Sequence, residues 1–547
     1  MSSKKLKIIP LGGLGEVGKN MMCYEYGLNI LLVDAGLMFP DNDMLGIDYI
    51  IPDLQYLNDK RDWVRGIVIT HGHEDHTGAI THVLDQINAP IYATPLTCGL
   101  VEVKLSKSGL LDKAQLITVQ AGEMVHIGPF TVEFFHVCHS IPDGVGLGIT
   151  TPAGLVVHSG DYKFDHTPVD NQPPDYAKLA EFSQRGVLAL LADSTNAERP
   201  GWTPSERVID GALDDVFREA PGRIIIASFA SLISRMQQVG VAANRYGRKL
   251  AFVGTSMQDN VKIARKLGYI DFPEGLVVPI DQALKLPDSQ VAIMVTGSQG
   301  EPTSIMGRLS KGTNRLFDIK PGDTVILSSH PIPGNEENVY GTINRLIQRG
   351  ADVIHEAIAP VHVSGHASQE EMKLLIHLTR PKFVIPMHGE LRHLHQHARI
   401  AKQVGIPAEN ILIVENGQVI ELTANSIKLG EKVPAGMVFV EGSSVGEVDE
   451  DTLQERESLA RDGIVMVNVT VDRYTGSLRR DPVITSRGFQ LSRDGDEIIP
   501  AARQRIHNLL SVSGNPNLVK EIEREISALI FDETRRRPIV YVTVARE

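Results

Sequence analysis

The chain has 547 residues, of which 42% are apolar and 22% charged, and carries a formal net charge of −13. That length predicts several domains, and the composition is that of ordinary globular protein. The acidic balance excludes indiscriminate nucleic-acid binding through a broad basic surface, but not an enzyme whose one groove is made positive by divalent cations and a few arginines.

No apolar run approaches the roughly 20 residues of a membrane span, so no membrane association is expected. The opening Met1-Ser2-Ser3-Lys4-Lys5 leads into a short strand and has no secretory core. Cys23, Cys98 and Cys138 show no paired spacing, which fits a reducing compartment and predicts a cytoplasmic protein. Strands are expected over 5–10, 21–26 and 29–34. The glycines of 12–18 contain no G-x-G-x-x-G, which argues against a dinucleotide fold. Asp34, at a strand end, is expected to support a neighbouring site.

The apolar run 66–69 reads as a buried strand and delivers Thr70-His71-Gly72-His73-Glu74-Asp75-His76. His71, His73, Asp75 and His76 are imidazole and carboxylate donors suited to zinc or manganese. Donors this close cannot easily converge on one ion, so the spacing predicts two neighbouring metals. Strands are then expected over 132–137, 154–158 and 187–192. Each ends in a polar group: His139, Asp161 and Asp193. Sites in layered α/β folds are built at such ends. His139 is the natural third donor for the ion of His71 and His73, and Asp161 can bridge. His388, after the apolar run 383–387, completes the set of Asp75 and His76. His136 and His158, inside strands, are read as structural or supporting.

Roughly two hundred residues separate Asp193 from His388, too many for a loop. The interval has its own α/β rhythm, with strands over 223–228, 249–253, 290–295 and 323–328 and an amphipathic helix over 231–246. Near-continuous apolar runs predict a parallel sheet covered on both faces. Its strand ends carry Ser228, Ser231 and Ser298, candidate phosphate seats. The segment His362-Val363-Ser364-Gly365-His366 precedes a helix start capped by Ser368, a place suited to a phosphate. Beyond it, 442–462 is acidic and reads as a linker able to become partly helical. Residues 463–547 read as a small α+β module with arginines at 479, 480 and 535–537. Those arginines fit RNA contact, or better, solvated charge around a dimerisation module.

The pattern H-x-H-x-D-H resembles the signature of the metallo-β-lactamase superfamily. The order that follows, His139, Asp161, an inserted domain, Ser364-Gly365-His366 and Pro386-Met387-His388-Gly389, resembles the β-CASP nucleases. Within these it is similar to the bacterial ribonuclease J family, over essentially the whole chain. The resemblance implies an α/β architecture: a metallo-β-lactamase αββα sandwich (1–205 and 358–441), an inserted α/β β-CASP domain (206–357), a linker (442–462) and a small α+β C-terminal domain (463–547). It implies two divalent cations per subunit, Zn2+ or Mn2+. His71, His73 and His139 hold one, Asp75, His76 and His388 the other, and Asp161 is shared. Asp75, Asp193 and His366 are then the catalytic set, with His366 near the scissile phosphate and Asp193 orienting it. The loop His362, Val363, Ser364, Gly365 and His366 binds substrate phosphate. A structural Ca2+ is implied near Asp48 and Glu441.

The implied activity is endonuclease and 5′-to-3′ exonuclease cleavage of single-stranded RNA, preferring 5′-monophosphate ends, in RNA maturation and mRNA decay. A homodimer or homotetramer, and contact with other RNA-decay enzymes, are further expectations of the resemblance. The alternatives are a DNA-directed β-CASP nuclease and, further off, a small-molecule metallo-hydrolase.

Overall fold

A computed structural model describes residues 5–332, 334–490, 498–510 and 517–547. The chain divides into two compact units, 1–39 with 49–438, and 40–48 with 439–547.

Two facing sheets make up most of the first unit. Among the described residues, one sheet has eight strands, in the order Ile427–Lys432, Gln418–Leu422, Leu6–Gly12, Met21–Tyr26, Ile30–Val33, Val64–Val68, Ile91–Ala93 and Leu116–Thr118. The other has six: Phe383–Met387, Val187–Asp193, Gly154–His158, Val145–Thr151, Phe130–His136 and Met124–Ile127. Apolar residues of both, including Ile8, Tyr24 and Val68 from one and Phe134, Leu147 and Ile385 from the other, form one buried cluster. Alternate residues on the first sheet face outward onto the helices Ile80–Gln86 and Pro95–Lys107, through Ile67, Ile80, Val83 and Leu105. The helices Tyr176–Arg185, Gln369–Thr379 and Leu391–Gln403 cover the second sheet. This is the expected αββα sandwich. Strands buried on both faces explain why 66–69 and 187–192 read as unbroken apolar runs.

Among the described residues the inserted segment builds a five-stranded, wholly parallel sheet, in the order Lys249–Val253, Val291–Val295, Ile224–Ala227, Thr324–Leu327 and Asp352–Ile354. Helices cover both faces, with separate apolar clusters on each side. The cluster on one side also takes in Leu96, Leu100 and Ile141 of the sandwich, so the insert is packed against its parent by apolar burial.

Among its described residues the second unit holds a three-stranded sheet, Leu478–Arg487, Ile464–Val471 and Ile539–Arg546, with helices Ile498–Leu510 and Leu518–Thr534 packed on it through Ile506, Ile522 and Ile526. The acidic stretch read as a linker contains the helix Glu450–Asp462, whose N-cap Asp449 accepts a hydrogen bond from the Thr452 amide at 2.8 Å. Arg479 pairs with Asp472 at 2.9 Å, Arg480 with Glu547 at 3.3 Å and Arg536 with Asp462 at 3.3 Å.

Candidate metal centre and phosphate loop

The donors come from strand ends at one edge of the sandwich. His71 and His73 follow Val64–Val68, and the short helix Glu74–Thr77 turns Asp75 and His76 back toward them. Gly36 makes this return possible, because a Cβ there would stand 1.6 Å from the Asp75 carbonyl oxygen. His139 follows Phe130–His136, Asp161 follows Gly154–His158 and His388 follows Phe383–Met387. His388 takes a left-handed backbone, φ 52°, which only a strongly determined site sustains.

These side chains converge in three overlapping groups: His71 with His73 and His139; Asp75 with His76, Asp161 and His388; and Asp161 with Asp193, His366 and His388. Within each group the donor atoms lie within 4.8 Å of one another. Nδ1 of His73 stands 3.1 Å from Nε2 of both His71 and His139. Oδ2 of Asp161 is 3.1 Å from His76 Nε2, 3.6 Å from His388 Nε2, 3.7 Å from His71 Nε2 and 3.8 Å from His139 Nε2. One carboxylate oxygen therefore sits between both histidine sets. Its partner oxygen, Oδ1, is buried with no hydrogen bond among the described residues. Imidazoles and carboxylates turned inward upon each other, with an orphaned oxygen among them, fit divalent cations.

Supporting hydrogen bonds fix which nitrogen faces the centre. His76 donates through Nδ1 to Asp34 at 2.8 Å, His71 through Nδ1 to the Thr70 hydroxyl at 3.1 Å and His388 through Nδ1 to the Thr195 hydroxyl at 2.7 Å. His139 donates through Nδ1 to the Gly365 carbonyl at 2.8 Å. Each leaves Nε2 for the centre. Asp34 is thus the supporting carboxylate expected from its strand end. His158 is buried, its Nδ1 2.9 Å from the Tyr24 hydroxyl.

Charge follows the same division. Burial, with the neighbouring imidazoles, pulls His71 and His139 well down, and His73 falls to about 4, so this trio is neutral and ready to ligate. Burial alone would also lower His76 and His388. The carboxylates around them, Asp161 foremost, overturn it and raise both. That half of the site concentrates negative charge, which calls for cations.

His366 lies beside this centre. Its Nδ1 donates to Asp193 Oδ2 at 2.8 Å, and its ring centroid is 5.0 Å from that of His139. Burial opposes its protonation, but the Asp193 charge and hydrogen bond outweigh it and raise the imidazole above its ordinary range. Asn196 donates to the Ser364 hydroxyl at 2.8 Å and to the His366 carbonyl at 3.0 Å, and Thr203 donates to the same carbonyl at 2.7 Å. The buried Glu371 carboxylate accepts from the amides of Phe164, Thr203 and Ser368, each at 2.8 Å. Thr195, Asn196, Thr203 and Glu371 carry no signature of their own. Thr195 and Asn196 lie two and three residues after Asp193, Glu371 three after Ser368, and Thr203 ten after Asp193.

The insert's serines lie at the C-terminal ends of its parallel strands. Ser228 and Ser298 are buried, and Ser231 is half-buried. The Ser329 hydroxyl donates to the Ser298 carbonyl at 3.1 Å, and Ser328 donates to the Val361 carbonyl at 2.8 Å, next to His362. The Ser298 hydroxyl and His362 Nδ1 are buried without hydrogen-bond partners among the described residues. Val363 is buried beside them.

Asp48 and Glu441, the residues of the expected calcium site, have protein partners in the structure. Among the described residues neither Asp48 nor Glu441 belongs to a cluster of three or more candidate ligands. Asp48 accepts from the Gly442 amide at 2.7 Å. The Arg456 guanidinium donates to Glu441 at 2.6 Å and to the Leu45 carbonyl at 2.8 Å. An arginine thus already pairs with Glu441.

An αββα sandwich with a dinuclear-type donor cluster at its edge, interrupted by a parallel α/β insert, defines a metallo-β-lactamase-fold hydrolase of the β-CASP kind. Family models agree: residues 15–189 match the metallo-beta-lactamase superfamily, 221–346 the beta-CASP domain of ribonuclease J, 350–411 the Zn-dependent metallo-hydrolase RNA specificity domain and 451–547 the ribonuclease J C-terminal domain. The chain is 45% identical to ribonuclease J of Synechocystis, over 98% of this chain and 86% of that one. It is 39% identical to ribonuclease J2 of Bacillus subtilis over 98% of both chains, and 40% identical to ribonuclease J 1 of Streptococcus pyogenes over 99% and 97%. A solved structure from Enterococcus faecalis, of unknown function, shares the fold at 16% identity and a TM-score of 0.55, covering 76% of this chain and 100% of that one. The chain belongs to the ribonuclease J family and is a metal-dependent, RNA-binding nuclease. No helix among the described residues is long and apolar enough to cross a membrane.

Proposed function

We propose that this nuclease cuts single-stranded RNA both internally and stepwise from the 5′ end, and that it prefers a 5′-monophosphate. We assign it two cations, zinc or manganese, one on His71, His73 and His139, the other on Asp75, His76 and His388, with Asp161 between them. When bound, such a pair supplies an activated water and a positive seat for the scissile phosphate. Asp193 holds His366 through Nδ1, which leaves Nε2 to give a proton to the departing ribose 3′-oxygen. The products then carry 5′-phosphate and 3′-hydroxyl ends.

The observation that carries the reading is the meeting of His139 and Gly365, which sets the 362–366 loop against the metal donors. The 5′-end preference is supported by the orphaned Ser298 hydroxyl and His362 Nδ1, buried polar atoms that a terminal phosphate would satisfy. Burial and the nearby Arg235 charge keep His362 neutral, so it can donate or accept there. Incubation with 5′-labelled monophosphorylated and triphosphorylated RNA, with zinc, manganese or chelator, tests all parts together. Equal rates on both ends would overturn the end preference, and cleavage persisting in chelator would overturn the metal assignment.

A further inference from the structure

Arg235 is the largest fully buried side chain among the described residues, 1% exposed, near the start of the helix Ile233–Arg245 of the insert. A guanidinium in such a place is costly unless its donors are used, and here each of its three nitrogens donates. Nε donates to Gln238 at 3.0 Å, Nη1 to the Val361 carbonyl at 2.7 Å and to the Ser328 hydroxyl, and Nη2 to Glu206.

Two of these partners have a special position in the chain. Glu206 stands where the backbone enters the insert, and Val361 where it leaves. From Val361 the phosphate loop begins immediately, and its far end is held at Gly365 by His139 and at His366 by Asn196 and Thr203. On the sandwich side, Glu206 lies 3.8 Å from the buried Lys163 ammonium, and the Lys163 amide donates to the Cys138 carbonyl at 2.8 Å. Lys163 and Cys138 are near neighbours in sequence of Asp161 and His139. Arg235 thus fastens both crossings of the chain at once and fixes the origin of the loop relative to the metal donors.

We propose that Arg235 is a positioning residue for RNA cleavage: by holding the Val361 carbonyl against Glu206 it places the 362–366 loop, and with it His366, beside the metal centre. The proposal rests on the reading of His366 as the proton donor to the leaving oxygen. A leaving group that departs without a proton should not need it, and that separates positioning from general stability.

The test uses the full chain loaded with zinc or manganese. Arg235→Met alone would leave the buried Glu206 charge with only the more distant Lys163 ammonium, so the principal variant is Arg235→Met with Glu206→Gln, which removes both charges at similar volume. Arg235→Lys and Ser328→Ala are milder variants that decide the matter should the first fail to fold. Turnover is measured on single-stranded RNA and on bis(p-nitrophenyl) phosphate, whose nitrophenolate leaves unprotonated. The expected result is a kcat on RNA at least about tenfold lower, with the nitrophenyl ester changed less than about twofold, because a displaced catalytic group costs rate only where it acts. Hydrogen exchange in a peptide spanning 360–370 should quicken, while one spanning 66–80 stays unchanged. Unaltered RNA turnover, or an equal loss on both substrates, would overturn the proposal. His366→Ala is run alongside. If it too fails to separate the substrates, the proton-donor reading has failed; if it separates them and the Arg235 variants do not, the positioning role alone has failed.

Discussion

Nδ1 of His139 donates to the Gly365 carbonyl at 2.8 Å, and a Cβ on Gly365 would fall 2.6 Å from that imidazole and 2.8 Å from the Ser140 amide. Loop and metal donor are therefore built against each other with no room for a methyl group. Gly365→Ala must either tilt His139 or lift the loop. The expected outcome is a fall in RNA turnover of about a hundredfold, since a shift near 1 Å at a reacting centre costs that much. Steady-state kinetics with metal analysis checks it; a variant of wild-type rate would show that the contact is incidental.

Asp193 is fully buried, and its carboxylate touches both His366 and His388 through Oδ2 and Oδ1. Burial would raise its pKa, but the two imidazoles hold the carboxyl far below the ordinary range, so it is ionised at any working pH. Asp193→Asn keeps the shape and removes the charge that orients His366. RNA turnover is expected to drop by about 10²-fold, within the usual worth of a positioned acid. Metal content should stay near wild type, because Asp193 reaches His388 at its outer nitrogen, Nδ1, at 3.6 Å. Loss of metal equal to the loss of rate would reassign Asp193 to metal holding.

How far the site could be read from the sequence depended on how far apart its partners lie. His71 to His76 announce themselves because four donors share one turn. His139, Asp161 and His388 were reachable because each follows a strong apolar strand. Asn196 and Thr203 were not: they bond to residues 168 and 163 positions further on, and an isolated asparagine or threonine carries no pattern. Arg235 looked like one polar residue on an amphipathic helix, yet it faces inward. In the C-terminal module the strand Leu478–Arg487 carries no alternating apolar pattern, because its first half is Arg479, Arg480, Asp481 and Pro482, as a sheet-edge strand often allows. The pairing of Arg456 with Glu441 was likewise out of reach, because the two meet across a turn and a helix cap.

Asp34 also has a left-handed backbone, φ 65°, and spends its carboxylate on the Thr70 amide and hydroxyl and on His76 Nδ1. It touches no candidate ion position, but it sets the ring of one donor and the start of the loop bearing four. Asp34→Ala is expected to weaken binding of the metal on Asp75, His76 and His388 by 10- to 100-fold or so, the usual effect of losing such a partner. Titration of the chelator-stripped protein with zinc or manganese, followed by thermal unfolding, reads this directly. Unchanged affinity would show that His76 needs no carboxylate at Nδ1 to face the centre.

His397 supplies a test of the fold apart from the chemistry. It is fully buried behind the site, with Nδ1 2.9 Å from the Ser194 hydroxyl and Nε2 without a partner among the described residues. Burial lowers its pKa from 6.5 to about 4. The folded chain therefore binds fewer protons here than the unfolded chain between these values. Stability from this group is complete above about pH 6.5 and is lost as pH falls toward 4. From pH 7.5 to 5.5 its share is about 1 kcal/mol by linkage. His397→Gln keeps a partner for Ser194 and does not titrate. In urea unfolding, with wild type and variant both held in chelator so that metal release is common to each, the variant should lose less stability over that interval by about that amount. Parallel curves would mean that His397 takes up its proton in the folded state as readily as in the unfolded one.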